Sequence, residues 1–224
     1  METLPIYIST VFVLTTLLTA LFLFKAGNNS KPLIIAALIW LALQAAVSLT
    51  GFYTITKGNP PRFGLLFIPP VVFIIVLLLT KKGRTFVDRF DLKTLTLLHI
   101  IRIPVELTLY WLFLHKTVPQ IMTFEGRNFD VLSGLTAPVV YYWGYVKNLF
   151  GRKMLLGWNI ICMLLLANIV FTAVLSAPFP FQKFGFDQPN VALFYFPFVW
   201  LPCFVVPAVL FAHLAAIKRL MIQS

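Results

Sequence analysis

Apolar residues run along this chain in long stretches, not in the short alternation of a half-buried strand or the one-sided stripe of a soluble helix. A helix crossing the ~30 Å hydrocarbon core of a bilayer needs about 20 mostly apolar residues. Runs of that kind fall at about 5–24, 33–53, 64–80, 94–114, 131–146, 154–177 and 191–216. The pattern predicts an all-α polytopic membrane protein, a single bundle of seven transmembrane helices, with connections too short for a separate soluble domain. The third run contains Pro69-Pro70, and the fifth is short and contains Gly134 and Pro138. Ahead of the first run the only charge is Glu2, with no basic segment, so this run reads as a retained span and not as a signal peptide.

Composition agrees with a membrane setting. Of the 224 residues, 60% are hydrophobic and only 11% charged, where a soluble domain carries roughly a quarter. That excludes a disordered chain, a disulfide scaffold and a basic nucleic-acid-binding domain. The net charge of +11 becomes an orientation once its members are placed on alternating sides. Lys25, Lys31, Lys81, Lys82, Arg84, Arg89, Lys93, Lys147, Arg152, Lys153, Lys218 and Arg219 share one side, and Lys57, Arg62, Lys116, Arg127 and Lys183 the other. Short loops rich in Lys and Arg stay cytoplasmic, which predicts an outer N-terminus and an inner C-terminus. The expected location is a bacterial-type cytoplasmic (inner) membrane. The aromatic residues of 178–190, with Tyr195 and Trp200, read as an interfacial belt at the outer face. Cys162 and Cys203 lie inside spans without metal-ligand spacing and read as small apolar residues.

Ionisable groups inside a span cost about 2.5–3.5 kcal/mol each on insertion scales and are functional candidates for that reason. Only the fourth run carries a set of them: His99, Arg102 and Glu106, spaced three and four apart on one helix face, with Tyr110 extending the stripe. Pro104 removes a backbone donor beside them. Two readings stand. In one, Arg102 and Glu106 neutralise each other and His99 bonds a neighbour. In the other, the stripe lines a pathway for a proton or small polar solute, with Arg102 holding an anion or setting the charge of Glu106, and His99 relaying toward the cytoplasm.

Depth suggests companions. His99, His213 and Asn159 each stand five or six residues inside a basic residue on the same side, roughly 8–9 Å into the membrane. Two histidines at one depth also permit a haem or metal redox site, which defines a second reading as an intramembrane enzyme. A third reading is a non-catalytic membrane partner or assembly factor using the charged outer loop, where Glu125, Arg127, Asn128 and Asp130 concentrate. In that loop Asp130 or Asn128 is placed to cap the fifth helix, and Arg127 to pair with either acid.

The stretch from Phe124 to Pro138 resembles an uncharacterised bacterial family of multi-spanning inner-membrane proteins. The resemblance implies that this loop-to-helix junction is a family feature, and it implies no activity. Better-known seven-span patterns fit poorly. The last run has no lysine at its middle for a retinal, Ser133-Gly134 lacks the preceding glycine of an intramembrane serine protease, and three scattered histidines do not make a zinc hydrolase. No phosphate loop and no internal repeat is present.

Overall fold

A computed structural model describes residues 4–56, 58 and 61–222; Glu2 and Lys57 lie outside them. Among the described residues the chain is all-helical. The α-helices are α1 (Ile6–Ala26), α2 (Lys31–Leu49), α3 (Gly64–Leu79), α4 (Lys81–Val87), α5 (Leu92–Leu98), α6 (Arg102–Leu114), α7 (Val131–Val139), α8 (Arg152–Leu175) and α9 (Val206–Ile222). Five segments are long and apolar enough to cross a membrane: α1, α2, the continuous run Leu92–Leu114, α8, and Leu201–Ile222. A sixth arises if α3 and α4, bent by 99° at Thr80, count as one broken span. The chain is therefore a multi-pass membrane protein in outline.

Prolines explain where these helices depart from the sequence pattern. Proline lacks an N–H and crowds the carbonyl four residues before it, which tightens or widens the neighbouring turn. A 3-10 turn at His99–Ile101 precedes Pro104 and joins α5 to α6. A π-helix at Val140–Val146 follows Pro138, and another at Leu201–Val205 contains Pro202. The last span begins at Leu201, not near 191, because the chain before it holds only a 3-10 turn at Ala192–Phe194 and then Pro197. At the other end it runs on to Ile222.

Long-range contacts define two ends of the bundle. At the basic end the Asp91 amide donates to the Ala26 carbonyl, Lys218 Nζ lies 2.7 Å from Asp88, and Arg219 donates to the Phe90 carbonyl. Arg152 donates to the carbonyls of Leu220 and Met221 there as well. Asp91 accepts from the amides of Lys93 and Thr94 and from the Thr94 hydroxyl, capping α5. At the opposite end the Thr117 carbonyl accepts from Val191 and Ala192, and Phe63, Phe179 and Phe194 pack as a ring cluster.

One segment breaks this simple alternation. After α6 reaches the second end, residues 119–130 turn back into the bundle. Met122, Thr123, Asn128 and Asp130 are buried there. Irregular backbone at membrane depth is tolerated only when its polar groups are satisfied within the protein. Here the amides of Met122, Thr123, Gly126 and Asn128 donate within the loop, and Asn128 Nδ2 donates to the Met122 carbonyl. Gly126 permits the fold-back, since a Cβ there would stand 2.4 Å from the Gln120 carbonyl oxygen. Because the loop descends, the helix after it starts deep. Val131–Val146 is helical throughout but consists of nine α-helical and seven π-helical residues, short of the length that spans a bilayer alone.

Candidate functional site

The buried polar residues converge where this loop meets the middle of the Leu92–Leu114 helix. Arg102 lies ten residues into that helix, about 15 Å from its start at 1.5 Å per residue, near mid-depth. His99, Arg102, Glu106, Asn159 and His213 are each no more than 2% exposed. Gly134 lets α7 approach closely, its Cα facing Ile103 and the Arg102 Cβ.

The guanidinium is the hub. Arg102 Nη1 donates to Asp130 Oδ1 at 2.5 Å and, at 3.4 Å, to the Cys162 carbonyl. Arg102 Nη2 lies 2.9 Å from His213 Nε2. Arginine only donates, so His213 Nε2 accepts and the proton of this neutral ring resides on Nδ1. His213 Nδ1 then donates to Asn159 Oδ1 at 3.0 Å, and Asn159 Nδ2 donates to the Leu155 carbonyl at 2.9 Å. A single hydrogen-bonded chain thus ties the re-entrant loop, α6, α9 and α8 together. His99 stacks on His213 with ring centroids 4.0 Å apart and 15° between planes, and Trp158 meets both rings edge-on.

Glu106 is one turn further along and faces a different partner. Asn128 Nδ2 donates to Glu106 Oε1 at 2.6 Å, while Asn128 Oδ1 accepts from the Asp130 amide. Arg102 and Glu106 therefore do not form the i,i+4 pair that their spacing suggests: the guanidinium is taken by Asp130 and His213. Nor does Asp130 cap α7 with its side chain, although it occupies the N-cap position. Its carboxylate is committed to Arg102. Arg127 is exposed and forms no ion pair among the described residues, where Arg102–Asp130 and Lys218–Asp88 are the pairs present.

Tyr110 and Glu125 lie apart from the buried cluster. Tyr110 is half-buried and packs against Phe124 at 4.8 Å, and Glu125 is exposed. Sequence reasoning passed over Trp158, whose indole walls in the histidine stack. The signal available was its position next to Asn159.

The arrangement limits the chemistry. Both nitrogens of His213 are engaged, and the two imidazoles lie face to face, so they do not fit a haem iron clamped between them. Among the described residues no group of three His, Cys, Asp or Glu is arranged to hold a metal ion. Arg102 is likewise not free to grip an anion. Among the described residues, Glu106 Oε2, His99 Nδ1 and Arg102 Nε in this cluster, with Ser133 Oγ beside Gly134, are buried polar atoms with no hydrogen-bond partner. A native interior rarely leaves such atoms unpaired without a reason. No protein family, curated protein or solved structure matches this chain.

Proposed function

We propose that this chain is a seven-span inner-membrane protein that binds or moves a proton, or a small polar solute carrying one, at the mid-depth cluster around Glu106. The carrying observation is the open trio of Glu106 Oε2, His99 Nδ1 and Arg102 Nε within a buried cluster. One guanidinium there faces two carboxylates, Asp130 and Glu106, and Asp130 has first claim on it. The second carboxylate is left to exchange a proton. His99, two turns from Glu106 toward the basic end and one turn beyond Arg102, is the next titratable group along the same face past the guanidinium.

The seven-span layout rests on the two ends described above. Val131–Val146 returns from the re-entrant loop to the basic end, and the bent α3–α4 unit does the same from the ring cluster. Basic residues crowd one end, which makes that end cytoplasmic and the N-terminus outer.

Proton flux into proteoliposomes, followed with an entrapped pH dye, tests the role of Glu106. The parent should acidify the lumen under an applied potential and Glu106→Gln should not. Equal rates would remove Glu106 from transport. They would favour the third reading, a membrane partner or assembly factor, in which the Arg102–Asp130 pair only pins the re-entrant loop.

A further inference from the structure

Away from the polar cluster, an apolar cleft of about 390 Å³ opens between α2, α3 and α9 near the basic end. Trp40 and Ala36 form one wall, Phe73 and Leu77 the other, and Phe86 and Phe211 bound it further. One backbone carbonyl freed in its lining is already satisfied. Pro207 provides no N–H for the Cys203 carbonyl one turn back, and Trp40 Nε1 donates to that carbonyl instead at 2.9 Å. Nothing in the lining calls for a polar ligand.

The basic end of the cleft has the opposite character. Lys31 stands two residues before the lining Leu33, and Lys81 and Lys82 four and five residues after the lining Leu77. All three lysines are exposed. Helix α4 is folded back over this end, because Gly83 rests directly on the backbone of Leu77, where a Cβ would approach to 2.3 Å. The first turns of α2 and α4 contain no acid. The two nearby acids are committed elsewhere, Asp88 to Lys218 and Asp91 to the cap of α5. An apolar slot ending in unneutralised lysines matches a molecule with a hydrocarbon tail and a negative head.

We propose that this cleft is a binding site for an anionic phospholipid, one acyl chain lying between Trp40 and Phe73 and the headgroup phosphate meeting Lys31, Lys81 and Lys82. The site is independent of the proton reading, since it shares no residue with the Glu106 cluster.

The full-length protein, purified in detergent, is offered equimolar phosphatidylglycerol and phosphatidylcholine with identical acyl chains, and retained lipid is counted by native mass spectrometry. The parent should retain phosphatidylglycerol in preference. The double variant Lys81→Gln/Lys82→Gln should lose that preference, by about fivefold per lysine removed. Ala36→Phe, at the exposed rim, should lower retention of both lipids. Equal retention of the two lipids by the parent would overturn the proposal. So would an unchanged preference in the lysine variant, unchanged retention in Ala36→Phe, or a lipid-free dimer showing that a second copy fills the cleft. The lysine variant changes exposed side chains only, so the test survives if Ala36→Phe fails to fold.

Discussion

The Asp130 carboxylate meets the Arg102 guanidinium at 2.5 Å across 28 residues of chain, with both side chains almost wholly buried. The pair joins a re-entrant loop to the middle of a membrane-spanning helix. Removing one member of a buried pair leaves the other uncompensated, at a cost of about 3–5 kcal/mol, whereas replacing both by apolar groups is often neutral. Asp130→Asn should therefore lower the melting temperature in detergent sharply, and the double variant Arg102→Leu/Asp130→Leu should recover much of the loss. A double variant no more stable than Asp130→Asn would show that the pair does more than neutralise itself.

The tautomer of His213 follows from its neighbours. Nitrogen-15 spectra of histidine-labelled protein near neutral pH should show the Nδ1–H form for this ring, because Nε2 accepts from Arg102. An Nε2–H signal would break the chain as drawn. In Asn159→Ala, which removes the acceptor for Nδ1–H, that resonance should shift and stability fall by about 1–3 kcal/mol.

Gly126 tests the fold-back separately from the charges. Gly126→Ala forces a Cβ against the backbone of Gln120 and Ile121, so the loop must shift and carry Asn128 and Asp130 with it. The variant should melt lower than the parent, and a cysteine introduced at position 128 should become reactive to a water-soluble maleimide only in the Gly126→Ala background. Equal labelling in both backgrounds would mean that Gly126 does not hold the loop.

Acid stability should show the cap at Asp91. Burial raises this carboxyl, but hydrogen bonds from the Thr94 hydroxyl and amide and the Lys93 amide outweigh it and hold the group below the usual carboxylate range. A lowered folded-state pKa stabilises above the unfolded value, and that stability fades as pH falls through the folded value. Asp91→Ala should lose about 0.5–2 kcal/mol at neutral pH, as caps of this kind do. The gap from the parent should narrow below about pH 4, where the unfolded carboxylate begins to protonate. A gap that does not change with pH would assign the effect to packing.

The stripe was readable from one helix. Spacings of three and four put His99, Arg102 and Glu106 on one face, and such groups in a span must turn inward; all three are buried. Equal depth also put His213 and Asn159 at the level of His99, and the structure brings these side chains together. Their partners were not readable. A local rule pairs Arg102 with Glu106, but the guanidinium goes to Asp130 because the loop carries that residue to mid-depth. Periodicity has no means of registering this descent, since residues 119–130 form no regular helix beyond one 3-10 turn. For the same reason, Asn128 and Asp130 read as part of the outer loop, distinct from the stripe, when they belong to the same cluster.

What the sequence determines by itself is the solvent: apolar runs this long and charges this few commit the chain to helices in a bilayer, because backbone groups there must bond within their own segment. It also determines which helix carries charge. Tertiary structure alone decided that five to six helices are long and apolar enough to span, that α7 begins deep, and that Arg102 belongs to Asp130. Helix formation depends on neighbours a turn apart, whereas these outcomes depend on side chains brought together by packing across many residues of chain.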